Sequence, residues 1–316
     1  MWRYVLKRLL LMIPVILGVT VVIFSIMYFV PGDPASMVLG ANATPEELAA
    51  KRTQLGLDAP YMTRLLLYIK DVFLRFDFGN SYLNSRSISD EIFTRFPITL
   101  AISVASIALA MLVGVPLGIN AAVHRGGAWD TVSMILALLG VSMPTFWVAL
   151  LLIMLFSLRL NWLPPLGFAS FKYYIMPCIA NCFHGLALMA RQMRSSMLEV
   201  IHSDYVTTAR AKGQSSGRVL FGHALPNALI PVVTIAGTTF GKMLGGTVVI
   251  EAVFSMPGIG GYMIGGINGR DYPVVQGCVI FLAIMFSLMM LLVDLLYAAI
   301  DPRIKAQYSQ GRKGAR

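Results

Sequence analysis

Lys242, Glu251 and Asp294 stand inside long apolar runs, where an ammonium or carboxylate must pair or face water. Each could therefore line a transport path or close a structural ion pair. Two other patterns invite a chemical reading. Gly237-Thr-Thr-Phe-Gly-Lys-Met243 approaches a phosphate-binding loop, but its spacing is one residue short and no strand precedes it. Met243 also stands where a Ser or Thr would reach the metal. Cys178 and Cys182 lie one helical turn apart and could offer two metal ligands, but His184 follows two residues later and points to another side of the helix. The expectation is no metal, no nucleotide and no catalysis by this chain alone, since no His-Glu-x-x-His or Gly-x-Ser-x-Gly pattern is present either.

The elements that hold these residues are membrane spans. Hydrophobic residues make up 57% of 316 positions, charged residues 13%, and mean hydropathy is +0.73. A soluble domain carries roughly 45–50% apolar residues. A hydrocarbon core takes about 20 apolar residues as a helix, and six stretches qualify: Leu9 to Val30, Ile98 to Val123, Val132 to Leu158, Tyr174 to Met197, Leu229 to Phe254 and Val274 to Ile300. The fold class is all-α, polytopic, with both termini on one side. The first stretch has the basic start of a secretory signal, but its apolar run is too long and no small-x-small cleavage site follows, so a retained helix is expected.

Charge sets the orientation. The N-terminal end, the turn at 122–130, the loop at 191–227 and the tail at 301–316 hold more than half of the 25 Lys and Arg, against only Asp130, Glu199, Asp204 and Asp301. By the positive-inside rule these segments, and both termini, are cytoplasmic. The net charge of +10 is thus explained by topology, and no basic face with interleaved aromatics points to nucleic acid. Cys178, Cys182 and Cys278 all fall in spans and say nothing of redox compartment. The expected organisation is a first span at 1–30, an extracytoplasmic helical insert at 31–97, a five-helix core at 98–300 containing the loop at 191–227, and a cytoplasmic tail at 301–316.

Within the insert, Pro31-Gly-Asp-Pro34 closes the first span. Thr44-Pro45-Glu46-Glu47 opens a helix with a capping box, which Gly56 ends. A second helix from Ala59 to Phe76 puts Leu65, Ile69, Val72, Phe73 and Phe76 on one face, suited to packing over the spans or to an external partner.

Lys242 and Glu251 are nine residues apart, about 180° around a regular helix, so both face one path only if Gly245-Gly246 bends the span. Both are candidates for the path. Lys242 is the stronger, beside a Gly237, Gly241, Gly245 ridge that lets a neighbouring helix come close. Asp294 matches the depth of Arg191 and Arg194, which predicts a structural ion pair with one of them.

The loop at 191–227 interrupts the spans with a patterned polar run. It resembles the EAA loop of ABC importer permeases, whose pattern is Glu-Ala-Ala, three residues, Gly, nine residues, Ile-x-Leu-Pro. Ala209, Gly213, Leu225 and Pro226 take their places with the spacing intact, while Thr207, Thr208 and His223 replace Glu, Ala and Ile. Asp204-Tyr-Val-Thr-Thr-Ala-Arg-Ala-Lys-Gly213 is similar to the version in the dipeptide/oligopeptide permease family. Pro31-Gly-Asp-Pro34, Phe254-Ser-Met-Pro-Gly-Ile-Gly260 with Arg270-Asp-Tyr-Pro273, and Asp294-Leu-Leu-Tyr297 with Asp301-Pro-Arg303 resemble that family's other signatures.

The resemblance implies a transport subunit of a bacterial or archaeal cell membrane that imports short peptides by alternating access. Family members also move glutathione, nickel chelates or haem. The implied partners are a second homologous permease in a heterodimer, two cytoplasmic ATPases that hold ATP and Mg, and an external solute-binding protein. The helix at 204–213 would couple to an ATPase through Asp204, Tyr205, Thr208, Ala209, Arg210, Ala211, Lys212 and Gly213, with Leu225 and Pro226 behind it. Ala209 and Ala211 would let backbones approach, Arg210 and Lys212 would meet acidic rims, and Gly213 would end the helix in a left-handed conformation. A transporter working alone would instead show inverted repeats or a ring of pore charges, and neither is visible.

Overall fold

The computed structural model describes residues 2–40 and 42–300. The expected tail at 301–316, with Asp301-Pro-Arg303, lies outside the described residues. The described chain is helical, with one isolated bridge between Asn80 and Ser87.

Helix α1 (Trp2–Phe29) ends just before Pro31, and Asp33 caps the short α2 (Pro34–Leu39) by accepting from the Ala35 amide. Helix α3 (Pro45–Gln54) starts with the expected capping box: the Glu47 amide donates to Thr44 Oγ1 and the Thr44 amide to Glu47 Oε2. Gly56, at φ +66°, follows it. Helix α4 (Tyr61–Arg75) buries Leu65 and Val72 as its periodicity predicts. Phe76 departs from that face, because it caps α4 in the left-handed region and stands exposed.

Helix α5 (Ile88–Val123) is capped by Ser87 and is about 54 Å long at ~1.5 Å per residue, longer than a hydrocarbon core of about 30 Å. It lies against α8 (Lys172–Ile201), and two glycines allow the approach. A Cβ on Gly114 would come 2.7 Å from the Leu186 carbonyl, and one on Gly118 2.5 Å from that of Ala190. This Gly-x-x-x-Gly contact brings two backbones together as small residues do between membrane helices.

The expected third span is not one rod. Helices α6 (Ala128–Ser142) and α7 (Thr145–Leu152), the latter prolonged by a π-helical stretch at Ile153–Arg159, meet at a bend of 103°. Pro144 explains the break: it drives Met143 into the extended region, at φ −80° and ψ 127°, and the α6 ladder stops there. Among the described residues five helices are thus long and apolar enough to cross a membrane, or six with this broken pair.

Beyond α8 come α9 (Asp204–Ala211), the single turn α10 (Ser216–Arg218) and a π-helical stretch at Val219–Ala224 that runs into α11 (Leu225–Val253). Helix α12 (Ile259–Asn268) and the long α13 (Tyr272–Ile300) complete the order. The buried residues gather in three clusters, one joining α5, α8 and α11 to α9, one joining α1, α4 and α12 to α13, and one around the α6–α7 break and the end of α11.

Candidate functional site

Helix α9 is fixed to the bundle by two side chains. Val206 and Ala209 are buried against Val219, Ala224 and the methionines of α8, while Asp204, Tyr205, Thr208, Arg210, Ala211 and Lys212 point away, exposed. Spacing alone produces this split, since residues three apart share one face of a helix. Ala209 therefore packs inward on its own bundle, and of the two alanines expected to let backbones approach only Ala211 lies on the exposed face. Gly213 adopts φ +78° with open space around it, so the left-handed stop is a backbone requirement.

A second tether lies where the resemblance was weakest. His223 Nε2 sits 2.7 Å from Gln214 Oε1, which joins the π-helical stretch to the turn after Gly213. Neither residue stands out in the sequence, because a His in place of Ile reads as a departure. Leu225 is partly buried against the same cluster, and the exposed Pro226 lies just after the π-helical stretch, where its missing amide hydrogen leaves one carbonyl of the preceding turn without an α-helical donor.

The α8 end is held by a two-point ion pair. Arg194 donates from Nε to Asp130 Oδ1 at 2.6 Å and from Nη2 to Oδ2 at 2.8 Å, and the Gly126 amide also donates to Oδ2 at 3.0 Å. The expected pairing of Asp294 with Arg191 or Arg194 is thereby corrected. Helix α8 packs on α5 and α6, which supplies Asp130, whereas α13 packs on α1 and α11. Asp294 accordingly meets Arg8 of α1 at 3.0 Å, and Arg191 is exposed.

Glu251 is corrected too. It is fully buried, and α11 runs unbroken through Gly245-Gly246, so it turns away from Lys242 as a straight helix dictates. Thr99 Oγ1 donates to its Oε1 at 2.6 Å and the Gly261 amide to its Oε2 at 3.1 Å. Thr99 Oγ1 in turn accepts from the Ile259 amide at 3.0 Å. The carboxylate thus fastens the segment 254–261 to α5, and in this subunit no part of it is open to solvent.

Lys242 is exposed on α11 beside Gly245, Gly246 and Val249. The glycine ridge divides here. Gly237 and Gly241 press on Val293 and Phe286 of α13, while Gly245 has nothing within 4 Å and belongs with the lysine to the open face.

Two of the signature segments, Pro31–Pro34 and Arg270–Pro273, meet in space. Arg270 Nη1 donates to the Pro31 carbonyl at 3.5 Å, and a Cβ on Gly32 would collide with the Arg270 guanidinium. Asp271 accepts from Ser81 Oγ at 2.5 Å and from the Tyr82 amide at 3.0 Å, which ties the insert to the start of α13.

Comparison with known proteins places the chain in a family. Residues 114–306 match the family described as binding-protein-dependent transport system inner membrane component, and residues 1–103 match the N-terminal family of such membrane components. The chain is 41% identical to the dipeptide transport system permease protein DppB of Alkalihalophilus pseudofirmus, over 96% of this chain and 100% of that one. It is 44% identical to the glutathione transport system permease protein GsiC of Salmonella choleraesuis, over 96% and 99%. Among solved structures, an inward-facing form of the MetNI methionine ABC transporter shares the fold, with a TM-score of 0.57 at 21% identity over 67% of this chain and 96% of that one. The chain belongs to the membrane permeases of binding-protein-dependent ABC importers, transport subunits whose ATPase lies in partner chains.

Proposed function

We propose that this permease passes short peptides, glutathione among them, from an external binding protein into the cytoplasm. Relatives bearing dipeptide and glutathione names at over 40% identity support the cargo class. The permease pairs with a second homologous subunit in a heterodimer and is driven by two ATPases, which carry ATP and Mg. In this reading the loop carrying α9 and both termini are cytoplasmic, the insert is external, and the membrane is the plasma membrane of a bacterium or archaeon.

The observation that carries the reading is the two-sided helix α9. Anchored inward by Val206 and Ala209, it offers Tyr205, Thr208, Arg210, Ala211 and Lys212 to an ATPase cleft, with Asp204 at its start. A push on that face reaches α8 and α11 through the shared core and would rock the spans between two openings. Lys242, exposed on α11, would meet the peptide carboxylate in transit.

Reconstitution with and without the ATPases tests the function. Uptake of labelled dipeptide should need ATPases, binding protein and ATP together, and uptake by the permease alone would overturn it. Lys242→Met should weaken peptide-stimulated transport while basal ATPase activity stays; unchanged transport removes the lysine from the path.

A further inference from the structure

A cavity of about 580 Å³ opens between the end of α1, the insert helices α3 and α4, and the start of α13. Its wall carries two guanidiniums and two carboxylates, with unequal partners. Arg52 lies 3.8 Å from both Asp33 and Asp58, and Asp71 lies 3.4 Å from Arg75. Arg64 has no carboxylate within 4.0 Å among the described residues. Its guanidinium stands 5.6 Å from the centre of the Tyr28 ring, and its charge acts on the Tyr82 phenol.

The Tyr68 and Tyr272 hydroxyls are buried in this wall and have no hydrogen-bond partner among the described residues. Burial raises the Tyr68 and Tyr82 phenols above their ordinary value, so both keep their protons and can donate. One guanidinium without a close ion-pair partner, among three phenols, is a donor set for an anionic oxygen group.

The surroundings indicate what carries that group. Phe29 on α1 and Met62, Leu66 and Leu67 on α4 are exposed apolar side chains. Phe24, Tyr28 and Tyr61 form an aromatic cluster of the kind that sits at headgroup level. A soluble anion would need none of this apolar border.

We propose that the cavity seats the phosphodiester headgroup of a membrane phospholipid, with Arg64, Tyr68, Tyr82 and Tyr272 around the phosphate and the acyl chains along α1 and α4. A lipid held there would join the first span, the insert and the last span at the edge of the bilayer. The site is separate from Lys242 and α9 and does not depend on the cargo.

The test uses the assembled transporter, stripped of lipid in detergent, and its thermal unfolding midpoint. Three probes are compared: dioctanoyl phosphatidylglycerol, dioctanoylglycerol without phosphate, and inorganic phosphate. The first should raise the midpoint in a saturable way, as a ligand of the folded state does, and the other two should not. Arg64→Gln should weaken the apparent affinity roughly tenfold, through loss of a charge-assisted bond. Tyr68→Phe and Tyr272→Phe, which keep the rings, should each weaken it about fivefold. An equal shift with inorganic phosphate would assign the site to a free anion, and an equal shift with dioctanoylglycerol would leave only apolar contact. Either result overturns the proposal. So does unchanged affinity in Arg64→Gln, or in both phenylalanine variants should Arg64→Gln fail to assemble.

Discussion

His223 Nε2 and Gln214 Oε1, 2.7 Å apart, bridge the turn that Gly213 opens and bind the end of α9 to the start of the next span. With the amide oxygen toward the ring, Nε2 carries the proton. The contact ties the turn after α9 to the α11 entrance, and if α9 is displaced by an ATPase, as proposed above, this tie would pass the movement on.

Replacing His223 by Ala should loosen that tie. A hydrogen bond of about 1 kcal/mol is worth roughly a fivefold population change, and the ratio of substrate-stimulated to basal ATPase activity in the reconstituted complex should fall by about that much. His223→Gln, which keeps a donor, should recover part of it. An unaltered ratio in both variants would leave the contact without a part in coupling.

Arg194 and Asp130 should be mutually dependent. Asp130→Asn leaves a partly buried guanidinium short of its partner and should cost on the order of 3 kcal/mol. The reversed pair Asp130→Arg with Arg194→Asp should recover some of the loss in a thermal melt of the purified permease. Equal melting of Asp130→Asn and the parent would show the pair to be dispensable.

Glu251 should behave as a scaffold acceptor. Glu251→Ala removes the acceptor for Thr99 Oγ1 and for the Gly261 amide, and each unpaired buried group costs about 1–3 kcal/mol. Assembly should suffer before transport can be measured. Glu251→Gln retains one oxygen and should assemble better. A Glu251→Ala complex that assembles normally yet has altered cargo preference would restore the residue to the path.

Elements set by local chemistry were legible in the sequence. The Thr44–Glu47 box, the left-handed Gly213 and the spans follow from side chains a few residues apart. The break between α6 and α7 was also written there, in Pro144, but the apolar run continues across it and hides the bend. Partners across the bundle were not legible. Depth along a span gives the height of Asp294 and says nothing of which helix stands beside it, so Arg8 could not be told from Arg191 or Arg194. Glu251 was opaque for a related reason, since its donors are a backbone amide and a threonine 152 residues away. The opposed placement of Lys242 and Glu251, by contrast, follows from helical geometry once α11 is known to run unbroken between them.

The central claim is that the exposed face of α9 receives the ATPase stroke. The direct measurement is ATP-driven uptake of labelled dipeptide into proteoliposomes by the full complex carrying Arg210→Glu or Gly213→Asp, with membrane insertion checked in parallel. Both variants should insert like the parent and lose most ATP-driven uptake, Arg210→Glu by reversing charge at the contact and Gly213→Asp by straining a φ of +78°. Uptake at the parent's rate in both inserted variants would contradict the account.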